Sequence, residues 1–316
     1  MTFRKLLSTS FFLALILVGV ATDAISQGRG GGPPLTLPGA APMAVPPAVA
    51  IPRPTAAELD AAQRALVKFV ASADAPTRTT LQKYPDLLTI RPLRANTAIV
   101  PSLAQGFVAK HQQNLQVAKQ GDSNILFMGD SITDFWRNAD GGFAGKPVMD
   151  KYFGQWKVAN FGIAGDTTEG VLYRLLDGEG KGFTPKAIML MIGTNNTARN
   201  TAAEIAEGIG AVVLQLQKDF PSAKILLLGV FPRGRMANDP LRTTIAEINK
   251  TISKLHDGNR VQYLDIGAGF LDAEGNIPQD VMSDALHPST KGYEIWAKAV
   301  IQPLSAMMGT PVPAVP

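Results

Sequence analysis

Cysteine is absent from this 316-residue chain and histidine occurs only three times. The first absence excludes disulfides, thiolate nucleophiles, cysteine-ligated zinc, iron–sulfur clusters and a lipid-bearing cysteine anchor. The second leaves three side chains able to act as imidazole base or ligand: His111, His256 and His287. They are widely separated and form no His-x-x-x-His pair, so no metal site is expected. A surplus of basic charge is also missing where a nucleic-acid surface would need it. Arg4, Lys5, Arg29 and Arg53 against Asp23 supply +3 of the formal net charge of +4, leaving +1 for residues 55–316. The high isoelectric point is therefore no sign of a nucleic-acid partner, because that affinity rests on neutralising phosphates with clustered Lys and Arg. With 46% hydrophobic and 18% charged residues, the composition is that of a globular chain with a sizeable core.

No apolar run is long enough to span a bilayer. Phe11–Val20 is ten residues, about 15 Å as a helix against a hydrocarbon core of about 30 Å. Preceded by Arg4 and Lys5 and followed by small residues at Thr22, Ala24 and Ser26, it has the layout of an export signal over residues 1–26. The expected location is periplasmic or extracellular, with no stable membrane insertion after cleavage. Residues 27–54 read as a linker: Gly28–Pro54 holds eight prolines and five glycines, which cannot sustain a backbone hydrogen-bond ladder. Residues 55–104 read as an N-terminal helical extension. A helix is expected from Thr55, with Leu59, Leu66, Val67, Phe69 and Val70 on related faces, before Pro76, Pro85, Pro92 and Pro101 break the chain into irregular pieces. A second amphipathic helix is expected near Leu103–Lys119, closed by Gly121.

From residue 105 to the end the rhythm becomes regular. Five short apolar runs, Asn124–Met128, Lys157–Phe161, Ala187–Ile192, Lys224–Val230 and Arg260–Ile266, recur every 30 to 40 residues. Helical stretches are expected near Thr168–Leu176, Ala202–Lys218 and Leu241–Leu255, and again at Thr290–Met308. Runs without apolar/polar alternation suit strands covered on both faces, and their alternation with helices predicts a parallel α/β sheet. In such sheets ligands bind beyond the carboxyl ends of the strands, so the residues just after each run carry the functional reading.

After the first run stands Gly129-Asp130-Ser131, where Ser131 could present its hydroxyl at a strand-to-helix turn or simply serve as an N-cap. After the second comes Ile163-Ala164-Gly165-Asp166-Thr167-Thr168. Gly165 allows close backbone approach to a substrate or merely a tight turn, and Asp166 or Thr167 could cap the next helix. No phosphate loop or dinucleotide fingerprint is present. After the third, Asn195 in Gly193-Thr194-Asn195 could donate into the crevice or suit a turn. Near the end, Asp284 lies three residues before His287, a spacing that lets the carboxylate hold one ring nitrogen and leave the other free. His111, on an amphipathic helix, and His256, at a helix end, have structural readings instead.

In this order the four segments resemble the SGNH or GDSL hydrolase superfamily. Within it, residues 105–308 most resemble the α-type catalytic subunits of platelet-activating-factor acetylhydrolase, through Asn160–Ile163, Gly165–Thr168, Arg174-Leu175, Gly193–Asn196 and Pro232-Arg233-Gly234. The resemblance implies a flavodoxin-like three-layer α/β/α sandwich with a five-stranded parallel sheet, and a cofactor-free serine esterase domain over 105–316. It implies Ser131 as nucleophile, His287 as base and then acid, and Asp284 as the group orienting the imidazole. The oxyanion hole it implies comprises the backbone N–H groups of Ser131 and Gly165 and the side-chain amide of Asn195. The sequence departs from those subunits at Ala164, where they have glycine, and in a longer Ser131–Gly165 interval containing Gly141–Gly145. The expected substrate is a small acyl ester or acylated carbohydrate losing a short acyl group, most simply acetyl. A lysophospholipase or thioesterase on longer chains, or a non-catalytic binding module on the same fold, are the other readings.

Overall fold

The computed structural model describes residues 32–92 and 94–312; the expected export signal lies outside them. The first element among the described residues is a two-residue strand, β1 (Leu35–Thr36), that pairs antiparallel with β2 (Ser102–Leu103). Between them stand α1 (Ala56–Ser72) and α2 (Ala75–Gln82). Thr55 and Glu58 form a reciprocal capping box at the start of α1. One expectation fails in this region. Pro76 lies in the first turn of α2 rather than breaking structure, because its missing N–H is one that no helix start needs. Along α1, Leu59, Leu66 and Val70 are half-buried while Val67 and Phe69 are exposed, and no residue of α1 or α2 is fully buried.

The Pro-rich segment of residues 32–54, read from sequence as a spacer, lies against the body of the protein. Val49 is buried, the Arg53 guanidinium grips buried Glu207 through two bonds of 2.7 and 2.6 Å, and the Ile51 N–H donates to the same carboxylate. Glu207 sits on α7 (Ala202–Asp219), one turn from Gly210, where a Cβ would meet Val49 at 2.6 Å and Pro46 at 2.9 Å. A helical glycine here makes the notch in which the strap rests.

The regular part begins with α3 (Val108–Gln120), which ends at Gly121 in the left-handed region. Five parallel strands follow: β3 (Ile125–Gly129), β4 (Val158–Asn160), β5 (Ala187–Met191), β6 (Lys224–Leu228) and β7 (Val261–Leu264). Their spatial order is β4-β3-β5-β6-β7. Each lies inside its expected run or within one residue of it. Every residue of β3 and β5 is buried, so both faces are covered. Leu126, Met128, Ile188 and Leu190 point to a core shared with α7, α6 (Thr168–Arg174) and α8 (Pro240–Ile252). Ile125, Phe127, Met189 and Met191 point the other way, toward α5 (Lys146–Phe153) and α9 (Thr290–Met308). The period of two thus produces a three-layer α/β/α domain from strands whose sequences look uniformly apolar.

The chain passes from β3 to β4 on one side of β3 and then to β5 on the other. The carboxyl end of β3 is therefore the topological switch point, where loops diverge and leave a crevice.

Candidate active site

Ser131 is the first residue of α4 (Ser131–Asp134), directly after β3 and so at the switch point. It is not the helix N-cap. That role belongs to Asp130, whose carboxylate accepts the Ile132 N–H at 3.0 Å. The Ser131 hydroxyl is thereby left free for other work, and it meets Nε2 of His287 at 2.8 Å. His287 Nδ1 lies 2.6 Å from Asp284 Oδ2. An ionised carboxylate only accepts, so Nδ1 carries the proton and Nε2 of the neutral ring accepts from the serine. Burial alone would push the Asp284 carboxyl up, but the hydrogen bonds from the His287 ring and the backbone outweigh it and hold it below the usual carboxylate range.

β7 is separated from β3 by two strands, so the sheet alone does not bring His287 to Ser131. The long loop after β7 does. Arg235 ties that loop down, donating to the carbonyls of Ile277, Met282 and Ser283 at 2.6–3.0 Å. Asp284 Oδ1 accepts the N–H groups of Leu286 and His287. Ala285 between them has φ 58°, a left-handed conformation costing about 1–2 kcal/mol in a residue with a Cβ. From behind, the Tyr293 hydroxyl on α9 donates to the Ile132 carbonyl at 2.8 Å, fixing α4 against the same helix that comes after the loop.

Gly165 and Asn195 come after β4 and β5, the two neighbours of β3, and so flank Ser131 in the crevice. Gly165 is the third residue of a turn closed by Asp166 N–H to the Ile163 carbonyl at 3.1 Å, and its φ of 85° explains why glycine stands there. The Asn195 side chain is aimed by one N–H, which donates to the Asp166 carbonyl at 2.8 Å, leaving the other for a ligand. Thr167 caps α6 by position without a side-chain bond, and Asp166 turns inward instead.

Behind this turn lies a group of buried charges. Arg174 is fully buried and pairs with Asp166 at 2.8 Å and with Glu179. Glu179 also takes a bond from His111 Nδ1 at 2.7 Å, while His111 Nε2 meets Asp177 at 2.9 Å. Burial alone would lower the His111 pKa, but the two carboxylates raise it on balance. Burial raises Asp166 to about 6, with Arg174 the main influence against it, so it is ionised at neutral pH. His111 is structural, as its sequence context indicates, and His256 accepts the Tyr263 N–H.

Two features were not read from the sequence. Phe135 and Phe143 stand 5.0 and 5.2 Å from the His287 ring, centroid to centroid, and flank the base. Phe143 belongs to the glycine-bounded insertion between Ser131 and Gly165, which was the available signal. The second is Asp130: wholly buried, with Oδ2 unpartnered among the described residues, its carboxyl is pushed up to about 7 by burial against the Ile132 N–H and nearby His287.

A parallel α/β/α domain with this row of hydroxyl, imidazole and carboxylate at its switch point has the build of a carboxylic ester hydrolase. Residues 127–295 match the GDSL-like Lipase/Acylhydrolase family, and the chain belongs to that family. It is 35% identical over 206 residues to platelet-activating factor acetylhydrolase IB subunit alpha2 of Rattus norvegicus, covering 63% of this chain and 86% of that one. Two solved structures share the fold. One is a Streptococcus pneumonia protein provisionally assigned as a platelet activating factor: TM-score 0.50, 22% identity, covering 63% of this chain and 94% of that one. The other is a provisionally assigned acylhydrolase of Bacteroides fragilis: TM-score 0.51, 20% identity, covering 63% and 95%. The protein is thus an esterase of the acylhydrolase type.

Proposed function

We propose that the protein is an exported serine esterase that removes a short acyl group, acetyl above all, from a carbohydrate or other alcohol. The observation that carries this reading is the continuous row Ser131–His287–Asp284, at 2.8 and 2.6 Å, opening beside Gly165 and Asn195. In it, Ser131 Oγ attacks the ester carbonyl carbon while Nε2 of His287 takes the hydroxyl proton. Negative charge develops on the carbonyl oxygen, which the N–H groups of Ser131 and Gly165 and the Asn195 amide receive. His287 then returns the proton to the departing alkoxide, leaving an acyl-serine and a free alcohol. Water repeats the sequence, giving the carboxylic acid and restoring the hydroxyl. Asp284 keeps the proton on Nδ1 and stabilises the imidazolium.

The acetyl preference draws on the relatives named acetylhydrolases and on the aromatic walls, Phe135 and Phe143, beside the base. Export rests on the Arg4-Lys5 and Phe11–Val20 layout. Ser131→Ala is expected to lower turnover of a chromogenic acetate ester by about 10⁴ or more, and retention of most activity would remove Ser131 from the mechanism. A series of esters from two to twelve carbons tests the acyl preference; an optimum beyond about eight carbons would favour the long-chain reading. Mass measurement of protein recovered from outside the cytoplasm tests export, with cleavage near Ala24 or Ser26 the expected result.

A further inference from the structure

Two phenylalanines reach the ring of the general base from separate stretches of chain. Phe135 follows Ser131 by four residues, on the short helix Phe135–Arg137 that continues α4, and its ring centre lies 5.0 Å from that of His287. Phe143 lies 5.2 Å away, and the two phenyl rings stand 6.0 Å apart and nearly parallel, at 21°. His287 therefore rests against both rings at almost the same distance.

The glycine-bounded insertion delivers Phe143, and its anchoring explains how. The Gly145 N–H donates to the Phe135 carbonyl at 3.3 Å, and a Cβ on Gly145 would stand 2.7 Å from that oxygen and from the Trp136 Cα, so glycine is what lets the loop fold back this closely. The Thr290 hydroxyl donates to the Ala144 carbonyl at 2.9 Å, which ties the insertion to the start of α9, three residues past His287. At the other end Gly141 and Gly142 are exposed, and a Cβ on either would meet nothing within 4 Å. The tip of the loop is thus in water while its one large side chain is held on the base.

We infer that Phe135 and Phe143 are positioning residues for His287: they hold the ring between Ser131 and Asp284 and stabilise the imidazolium that forms in each half of the reaction. The inference rests on the reading of His287 as base to Ser131. When Nε2 takes the Ser131 proton the ring gains a positive charge, which it keeps until it hands that proton to the departing alkoxide; the charge returns when water attacks the acyl-serine. Asp284 meets it at Nδ1. The phenyl rings meet it elsewhere. A cation within about 6 Å of an aromatic centre is attracted by the electrons of the ring, more strongly where water is scarce, and the His287 side chain is only 17% exposed. A neutral imidazole gains less from the same contact, so the stabilisation is greater in the transition state than in the ground state, which is what raises kcat. An alkyl side chain would confine an acetyl group as well as a phenyl ring does, but would not do this.

The test removes the ring and keeps the bulk. Phe135 also packs on the core, so the half-buried loop residue Phe143 is the one changed. Phe143→Leu and Phe143→Tyr, each in the full chain, are compared with the wild type in kcat and KM for 4-nitrophenyl acetate and 4-nitrophenyl butyrate. Phe143→Leu is expected to lose about threefold to thirtyfold in kcat on both esters with KM little changed, and Phe143→Tyr, which keeps the ring, to stay within about twofold of the wild type. A kcat for Phe143→Leu within about twofold of the wild type overturns the inference, whether or not the preference for acetate over butyrate moves, because Phe143 is then a wall alone. A loss carried by KM, or an equal loss in Phe143→Tyr, overturns it as well. Ser131→Ala separates this from the underlying reading: if that variant keeps most activity the esterase mechanism fails, and if it is inactive while Phe143→Leu is unimpaired, the aromatic role alone fails.

Discussion

On the His287 side of Ser131 the supporting groups meet water, Asp284 keeping 39% and His287 17% of its side chain exposed, whereas on the Gly165 side Arg174, Asp166 and Glu179 keep none. The difference reflects the separate demands on each flank. A base that takes a proton and returns it within a cycle needs a ring whose changing charge is met by water and a carboxylate, here on the loop held by Arg235. An anion receiver works by not reorganising as charge develops, so its N–H groups must be set beforehand. Buried ion pairs are a poor route to net stability, since desolvation offsets their attraction, but they are a good route to a single geometry when every partner is satisfied. Asp166 links the two purposes. Its carbonyl aims Asn195, its N–H closes the Gly165 turn, and its carboxylate is locked to Arg174.

The contrast can be broken at either flank, with opposite signatures. His287→Ala is expected to cost about 10⁴ in kcat/KM on a small acetate ester while leaving thermal stability almost unchanged, because the loop is held by Arg235 and Asp284 backbone bonds rather than by the ring. Arg174→Gln should do the reverse in emphasis. Removing one partner of a buried pair costs about 3–5 kcal/mol. That is a fall of roughly 10 °C in Tm for a domain of this size, read by differential scanning calorimetry. A Tm unchanged within about 2 °C would show that the buried charges do not hold the turn.

Asn195→Ala isolates the receiving groups without touching their support. The expected loss is about 10²–10³ in kcat with KM little changed, the mark of a contact made in the transition state. A smaller effect sharpens the comparison through pH. His111 has its pKa raised on folding, so its stabilising effect is full below its ordinary value of 6.5 and is lost as pH rises through the higher folded value. Denaturant titrations should therefore show the wild type exceeding His111→Asn most below pH 6.5, the gap narrowing toward alkaline pH; a gap independent of pH would mean that folding does not shift the ring's pKa, and one that widens with pH that the ring is neutral when folded. The mildest change expected is Asp130→Asn. An amide caps α4 as well as a carboxylate does, and burial has already raised this carboxyl to about 7, so activity should stay within about threefold near neutral pH.

Much of this molecule was legible in its sequence, for physical reasons that also mark the limit. Parallel strands covered on both faces leave unbroken apolar runs, and the switch-point rule directs attention to the residues at their carboxyl ends, so Ser131, Gly165 and Asn195 stood out; Asp284 and His287, well past the last strand, stood out by their three-residue spacing. The resemblance supplied their expected roles. The illegible part depends on contacts between distant segments. Arg174 sits in the apolar stretch Val171–Leu176, and a lone charge in such a run signals a buried partner without naming it. The N-cap went to Asp130 rather than Ser131 because the choice depends on which backbone bends first, not on residue type. Composition alone makes 32–54 look like a tether, since nothing in a proline-rich string announces that Gly210, more than 150 residues later, leaves a notch for it.

That notch sets the order in which the chain can reach its final form. Arg53 and Ile51 close on Glu207 across separations of 154 and 156 residues, so the strap has no seat until α7 exists and has packed. Contacts of such range form late and at high loop-closure cost. Docking of the strap is therefore expected to be a terminal folding event, one that reports whether the sheet behind it has already been made.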